Sequence, residues 1–422
     1  MAGKQTGRVT RRRVFYIPGY DPFPPRRYRE LYRKEGAEQA RISGYTLIQS
    51  PGQRAKAFGW HAEMEDGGVR SQAEIEVLVW SDIVGASMGH SIPATYWQLL
   101  KTAWIYISTG ALFRLARLRK GPTIAALYPI GALILQLAAA LLVFDLAARG
   151  IGWGFSLIER TVWPGQIFTP LFLPSIYVPL LLGILVAMFA LLWFKRHDNR
   201  IFAYYLMHDY AFTASARGAH PAALAPRMAE FGAQIGEALS EDWDEVLVVG
   251  HSSGAHLAIS ILADLIRTGK VRHDGPALGF LSLGQVVPMV SFLPDARKLR
   301  GDLAFLSTRR ELTWVDVTAP GDGCAYALCD PVAVTGVAPP DKRWPLVVSA
   351  AFTQTLSPQR WAELRWRFFR LHFQYLCAFD RPGDYDYFRI TAGALSLSER
   401  YRARAPSKSR IETATNRYRD VA

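Results

Sequence analysis

The stretch Val246–Ser260 contains a serine whose neighbours are typical of an enzymatic nucleophile. Its sequence is VLVVGHSSGAHLAIS, in which Ser252 lies between Gly250 and Gly254. Four apolar residues precede the turn, as in a buried parallel strand, and a helical pattern of alanine and leucine follows it. A G-x-S-x-G segment between a strand and a helix holds its serine on a sharp turn with the hydroxyl exposed. This context favours a nucleophilic Ser252 over a plain glycine-rich turn.

A serine hydroxyl becomes a strong nucleophile only when a neighbouring base removes its proton, and that base needs an acid to orient it. The chain has nine histidines, and His372 is the one that follows His273. Its surroundings, RWAELRWRFFRLHFQYL, are also compatible with a structural histidine on a helix. His372 is therefore a candidate base whose local sequence leaves both interpretations open.

Candidate acids come from the segment WVDVTAPGDGCAYALCDPV, which contains Asp316, Asp322 and Asp330. Asp316 lies within a strand-like run, where the pleat fixes its side chain. Asp322 lies in a Pro-Gly-Asp-Gly turn, where its side chain is free to reach an imidazole. Any one of the three is also compatible with an ordinary turn residue. We expect Asp322 to be the acid, with Asp316 as the alternative.

The tetrahedral intermediates of acyl transfer also need backbone N–H donors for the developing oxyanion. The amide of Ser253, directly after Ser252, is one candidate. The second donor is expected from the segment IPGYDP, through the amide of Gly19 or Tyr20. The same segment is equally compatible with an ordinary type II turn.

Together, the segments IPGYDP, GHSSG, APGDGCAY and HFQYL resemble those of the α/β-hydrolase superfamily of serine esterases and lipases. The resemblance covers Val14–Gly19 and, in separate blocks, roughly residues 221–393. It implies an α/β-hydrolase fold and a triad in the chain order serine, acid, histidine, which makes His372 the base. In phospholipase-like members Pro-Val usually follows the acid, whereas Gly-Cys follows Asp322 here.

These residues need a scaffold, and the segments around them alternate between strand and helix patterns. The strand-like runs are Val14–Gly19, Ala55–Met64, Ala73–Trp80, Glu245–Val249, Ala277–Gly284 and Leu312–Val317. A helix is expected over Pro221–Leu239, and a hairpin or two neighbouring strands on either side of the turn EDGG. We predict an α/β fold of the α/β-hydrolase type, with a mostly parallel sheet flanked by helices and interrupted by an inserted helical hairpin.

Two long apolar runs occupy the middle of the chain. No charged residue occurs between Lys120 and Asp145, or between Arg160 and Lys195. A membrane-spanning helix needs about 20 apolar residues, and neither run has the polar face of a helix in a soluble protein. We expect a hairpin of two transmembrane helices, over about 122–146 and 171–194.

Basic residues flank this hairpin on both outer sides, namely Arg114, Arg117, Arg119 and Lys120 before it and Lys195, Arg196 and Arg200 after it. The charges of the connector cancel. By the positive-inside rule, the catalytic part and both termini are expected in the cytoplasm and the connector outside. Two helices form an anchor and are too few for a channel or transporter.

The composition favours a membrane partner over a nucleic acid. The chain has 422 residues, half of them hydrophobic, and a formal net charge of +13, which indicates an anionic partner. No zinc-ligand spacing, RNP-like strand or basic recognition helix occurs. Further basic residues cluster at Arg11–Arg13, Arg26, Arg27 and from Arg400 onward. We therefore expect a lipid bilayer as partner and no nucleic acid.

Three cysteines, Cys324, Cys329 and Cys377, provide neither a disulfide framework nor a metal-ligand spacing, which favours a reducing compartment. The basic N-terminus lacks the apolar core of a signal peptide. No metal and no organic cofactor are expected, and the oligomeric state is left open.

The predicted organisation has four segments. Residues 1–110 form the N-terminal part of the catalytic domain, 111–200 the transmembrane hairpin, 201–398 the rest of the catalytic domain, and 399–422 a solvated basic tail. The expected activity is hydrolysis of a carboxylic ester, of a lipid or other acyl substrate, through an acyl-enzyme intermediate. An acyltransferase or thioesterase on the same fold, and an inactive membrane scaffold, are the alternatives.

Overall fold

The computed structural model describes residues 7–52, 58–89, 91–166 and 170–422, and its main feature is an eight-stranded sheet. The strands are β1 (Arg11–Ile17), β2 (Thr46–Pro51), β3 (Gly59–Asp66), β4 (Val69–Val77), β5 (Glu245–His251), β6 (Ala277–Leu283), β7 (Leu312–Thr318) and β8 (Leu346–Ser349). Their order across the sheet is β2-β3-β4-β1-β5-β6-β7-β8. From β4 to β8 all pairs are parallel, and β3 is antiparallel to both β2 and β4. The predicted mostly parallel α/β sheet is confirmed.

Helices flank this sheet. Within the described residues the α-helices are α1 (Arg26–Ser43), α2 (Ser81–Ser87), α3 (Ile92–Ser108), α4 (Ala111–Leu118), α5 (Lys120–Val162), α6 (Phe172–Arg196), α7 (Asp198–Ile201), α8 (Ala203–Ser215), α9 (Leu224–Ala238), α10 (Gly254–Arg267), α11 (Val287–Ser291), α12 (Arg297–Thr308), α13 (Pro331–Thr335), α14 (Phe352–Thr355), α15 (Pro358–Leu364), α16 (Phe368–His372), α17 (Tyr387–Ala392) and α18 (Leu397–Arg400). A 3₁₀ helix covers Gln374–Leu376.

The central strands form where the sequence has continuous apolar runs. Every residue of β5 is buried, because a parallel strand covered on both faces has no solvent side. The predicted strands are all present, although β1 begins at Arg11, before the apolar run. Residues 55–57 of the predicted strand Ala55–Met64 lie outside the described residues. The edge strand β2 was not predicted.

Two arginines of the basic N-terminal cluster lie inside the sheet. Arg12 is fully buried, and its Nε donates to Glu245 Oε2 at 2.5 Å, while Nη1 donates to the carbonyl oxygen of Gly393 at 2.7 Å. Arg13 is also buried and pairs with Glu76. These charges neutralise the carboxylates of Glu245, which is buried, and Glu76, which is partly buried, on neighbouring strands. The prediction that this cluster is directed at a membrane is therefore wrong for both residues.

The C-terminal segment is bound to the protein along its length. The amide of Ile411 donates to the carbonyl oxygen of Leu328 at 2.7 Å, and the carbonyl oxygen of Ile411 accepts from the amide of Asp330 at 2.9 Å. Asn416 is buried and donates from Nδ2 to the carbonyl oxygen of Ser291 at 3.0 Å. Because backbone and side-chain groups both find partners, this segment is not the solvated tail that its composition predicted.

The chain forms two compact units. The first consists of Met1–Ser87, Trp104–Ala125 and Phe212–Ala422 and contains the sheet. The second consists of Met88–Ala103 and Ala126–Ala211 and is helical. The sheet is thus assembled from chain segments on both sides of the helical unit in the sequence.

The helices α5 and α6 are long and apolar enough to cross a membrane. Their apolar side chains are largely uncovered by protein, and Leu135 and Phe189 are each 71% exposed. The two helices approach closely, because a Cβ at Gly183 would lie 2.9 Å from Cδ2 of Phe144. With 43 residues, α5 continues well beyond the predicted end near residue 146 and is about 65 Å long.

Candidate active site

Ser252 lies in the turn between β5 and α10, and its backbone is strained. Its φ is +55°, in a left-handed region that residues other than glycine rarely adopt. A Cβ at Gly254 would lie 2.1 Å from the carbonyl oxygen of Ile17, and one at Gly250 would lie 2.8 Å from Cα of Ala255. The two glycines therefore let the strand, the turn and the helix approach closely, as the G-x-S-x-G pattern predicts.

Asp322 and His372 form a hydrogen bond although they are distant in the chain. His372 Nδ1 donates to Asp322 Oδ2 at 2.7 Å, and both side chains are buried. The amide of Cys324 donates to Oδ1 of the same carboxylate at 2.9 Å, and the hydroxyl of Tyr375 donates to Oδ2 at 3.0 Å. The structure thus joins the predicted acid to the predicted base in an arrangement that orients an imidazole.

The surroundings of Asp322 keep it ionised. Burial opposes its charged form, but the electrostatic interaction with the His372 imidazole and the hydrogen bonds from His372, Cys324 and Tyr375 hold the pKa of Asp322 below its ordinary value. A carboxylate that accepts from Nδ1 fixes the tautomer of the ring, so that Nε2 of His372 is left as a proton acceptor.

Several contacts place His372 beside the Ser252 turn. His251 Nε2 donates to the carbonyl oxygen of His372 at 3.1 Å, and the two rings are 4.9 Å apart between centroids. The amide of Ser252 donates to the carbonyl oxygen of Leu283 at 2.9 Å, and a Cβ on the next residue, Gly284, would lie 3.0 Å from Cε1 of His372. In the described chain no hydrogen bond joins Ser252 Oγ to His372; such bonds often tighten only when substrate is bound.

The predicted oxyanion donors lie on the two sides of Ser252. A Cβ at Gly19 would lie 2.9 Å from Cβ and 3.3 Å from Oγ of Ser252. Ser253 precedes the first residue of α10, so the helix provides no acceptor for its amide. Tyr20 is buried, with its ring 6.1 Å from that of Trp80. Gly19 therefore packs against Ser252 in space, and Ser253 is its neighbour in the chain. Tyr20 is the residue after Gly19.

The other two candidate acids have different partners. Asp316 is fully buried in β7 and accepts from the hydroxyl of Ser282 at 2.5 Å. Burial raises the pKa of Asp316 to about 8. Asp330 caps α13 by accepting from the amides of Val332 and Ala333. Of the three candidates, Asp322 is the one that contacts His372.

Two further side chains of this site were not predicted. Tyr375 accepts from the amide of Ala319 at 3.0 Å and donates to Asp322. His251 donates from Nε2 to a carbonyl, so its Nδ1 accepts from the hydroxyl of Tyr16 at 3.2 Å. Burial, followed by the interaction with the neighbouring His372 ring, lowers the pKa of His251 to about 3, and the His251 ring stays neutral. Local spacing does not single out Tyr375, because its partners Ala319 and Asp322 lie 56 and 53 positions earlier in the chain.

Asp322, Cys324 and His372 have donor atoms within 4.8 Å of one another, close enough to hold a metal ion. A histidine nitrogen must be unprotonated to bind a metal, and Nδ1 of His372 faces a carboxylate oxygen at hydrogen-bond distance. Both oxygens of Asp322 already accept hydrogen bonds. The geometry of the cluster fits an acid–base pair better than a ligand set.

No protein-family model, curated protein or solved structure matches this chain.

Proposed function

We propose that this chain is a membrane-anchored serine hydrolase of the α/β-hydrolase type that cleaves a carboxylic ester of a lipid or other acyl substrate. The observation that carries the proposal is the strained Ser252 turn next to the hydrogen-bonded pair of Asp322 and His372. A serine at positive φ between strand and helix is unfavourable for folding, and such strain is concentrated at functional sites.

In the proposed reaction, Ser252 Oγ forms a bond to the acyl carbon while His372 Nε2 takes the hydroxyl proton. The amides of Gly19 and Ser253 stabilise the oxyanion. The bond to the alcohol then breaks, and His372 returns the proton to the leaving oxygen. Water, activated by the same imidazole, hydrolyses the acyl-enzyme. Asp322 keeps the ring in the tautomer that both steps need.

The order of the parts along the sheet supports an α/β-hydrolase fold. Ser252 follows β5, Asp322 follows β7, and His372 follows β8. These three strands are parallel to one another, so their carboxyl ends lie at one edge of the sheet, where α/β proteins place their ligands. The chain order serine, acid, histidine is the order that this fold uses.

Membrane attachment is supported by α5 and α6 and by a face of α3. Trp97, Leu100, Trp104 and Ile107 recur at helical spacing, and the two tryptophans are 69% and 73% exposed. Tryptophan is enriched at the boundary between lipid and water, because its ring is apolar and its N–H is polar. We propose that this face of α3 lies in that boundary.

The test is covalent labelling of the detergent-solubilised chain with a fluorophosphonate probe. We expect the unmodified chain to be labelled, the Ser252→Ala variant to be unlabelled, and its ester hydrolysis to fall by about 10⁴-fold or more. Ser240→Ala is the matched control, because Ser240 is exposed ahead of β5 and its hydroxyl donates to the carbonyl oxygen of Gly236 in its own helix turn. Undiminished labelling of Ser252→Ala would refute the mechanism.

A further inference from the structure

A cavity of about 660 Å³ lies beside the acid of the proposed triad. One wall is the junction between α4 and α5, residues 116–122, and the other is the loop that carries Asp322 and Gly323. Arg119 Nε donates to the carbonyl oxygen of Ala327 at 2.8 Å, and a Cβ at Gly121 would lie 3.5 Å from Cα of Gly323. Both walls belong to the sheet-containing unit and are fixed to each other.

The charge of this cavity is unbalanced. Arg117, Arg119 and Lys120 line it, and none of them forms an ion pair with a carboxylate in the part of the chain that the structure describes. The carboxylate in the wall, Asp322, is already bound to His372. Like charges gathered around a concave surface repel one another and attract an anion.

Two helix ends meet at this cavity, the C-terminus of α4 and the N-terminus of α5. Arg119 is extended, with φ −150° and ψ 127°, and separates α4 from α5. Lys120 is the first residue of α5, whose N-terminus carries a partial positive charge from the helix dipole. A cation at that end of a helix is unfavourable unless an anion compensates it. The C-terminus of α4 carries the opposite partial charge at the same junction. The three basic side chains are therefore the main source of positive potential in the cavity.

We propose that this cavity binds the anionic group of the ester substrate, so that the substrate class is an acyl ester that carries a phosphate. This inference rests on the proposed function. Arginine recognises phosphate oxygens through paired N–H donors, and lysine adds a point charge. Asp322 belongs both to the cavity wall and to the pair with His372. A phosphate bound in the cavity is therefore close to the proposed base, His372, because the side chain of Asp322 lies between the two.

The test compares substrates that differ only in charge. In detergent micelles, kcat/KM is measured for a diacylglycerol phosphate and for the diacylglycerol with the same acyl chains. We expect the unmodified chain to prefer the phosphate ester, and Arg117→Gln with Lys120→Gln to reduce that preference by about tenfold or more. An equal kcat/KM for both substrates in the unmodified chain would overturn the proposal.

The matched control is the double variant Lys270→Gln with Arg310→Gln. It removes the same charge from two exposed residues that precede β6 and β7, at the opposite edge of the sheet from the cavity. We expect it to keep the preference for the phosphate ester. If the control variant loses the preference for the phosphate ester as strongly as the cavity variant does, the preference comes from the overall charge of the protein and not from the cavity.

A binding measurement separates this inference from the proposed mechanism. Calorimetric titration of the full-length Ser252→Ala variant with dihexanoyl phosphatidate is expected to show binding that weakens about tenfold with the cavity substitutions. Inorganic phosphate that binds as tightly as the lipid would identify a site for free phosphate and overturn the substrate assignment. If the fluorophosphonate labels Ser252 but the cavity substitutions leave lipid binding and substrate preference unchanged, only this inference fails. If Ser252 is not labelled, the proposed function fails, and this inference fails with it.

Discussion

Asp316 and Asp322 show how the position of a carboxyl group sets its charge. Asp316 lies in β7 opposite Ser282 of β6, and burial without a cation raises its pKa to about 8. Asp322 is also buried, yet the electrostatic interaction and the hydrogen bond with His372 hold its pKa below the ordinary value. The two pKa values differ because Asp322, in the loop beyond β7, reaches His372, whereas Asp316, within β7, bonds to Ser282.

The raised pKa of Asp316 predicts a pH dependence of stability. Between the ordinary carboxyl pKa near 4 and about 8, folded Asp316 keeps a proton that the unfolded chain releases. The free energy of unfolding should therefore fall as pH rises through this window, by at most about 1.4 kcal/mol per pH unit from this group. Asp316→Asn should remove this contribution, as measured by denaturant unfolding between pH 5 and 8. An unchanged pH slope in the variant would show that Asp316 is not the group responsible.

At the scale of single residues, the sequence singled out the candidate site residues more clearly than the contacts that they make. Ser252 and Asp322 stand out because a strand precedes each of them, and His372 because few histidines follow the serine. The contact of His251 with His372 depends on how the chain folds back after β8, which local spacing does not specify. Arg12 and Arg13 were mispredicted because each forms an ion pair inside the fold with a carboxylate that lies far away in the sequence.

The secondary-structure elements differ in how clearly the sequence predicts them. β5, β6 and β7 are mostly apolar, since both faces of each strand are covered. β2 is half exposed and ends in proline, so its residues lack that signal. α5 exceeds its predicted length because its helix continues past the apolar run, through residues that carry the charges Arg149 and Glu159. Burial, rather than propensity, decided which elements were predictable.

The exposed face of α3 gives a prediction at the scale of a single element. In vesicles that contain a photoreactive acyl lipid, peptides of α3 should crosslink to lipid, because each exposed tryptophan gains on the order of 2 kcal/mol by leaving water. Trp97→Asp with Trp104→Asp should lower the crosslinking of α3 severalfold, as measured by mass spectrometry.

Peptides of α5 provide the internal control for that experiment and should keep their yield. The β2 peptide that contains Ile48, which is 63% exposed but not part of an apolar helix face, should remain unlabelled. Lipid crosslinks at Ile48 as abundant as those at α3 would mean that exposure alone, and not placement at the membrane, determines the labelling.

At the scale of the whole molecule, one chain combines a sheet with a complete candidate triad and a helical unit with two apolar helices. The segments of the sheet-containing unit lie before, within and after the helical unit in the sequence. If α5 and α6 both cross a membrane, the chain returns to the side from which it left. The sheet can then be completed by strands on either side of the hairpin, because all of them remain in one compartment.

The requirement that all strands of the sheet lie in one compartment makes the membrane topology testable. From the basic residues that flank the hairpin, the positive-inside rule predicts cytoplasmic termini and a connector outside. A cysteine at Gln166, exposed in the connector, should react with a membrane-impermeant maleimide in intact cells, whereas one at Lys270, between α10 and β6, should react only after permeabilisation. The unmodified chain measures the background from Cys324 and Cys377, which are partly exposed. Reaction of both sites from the same side would contradict this topology, because one crossing, by α6, must separate the connector from the strands that follow it.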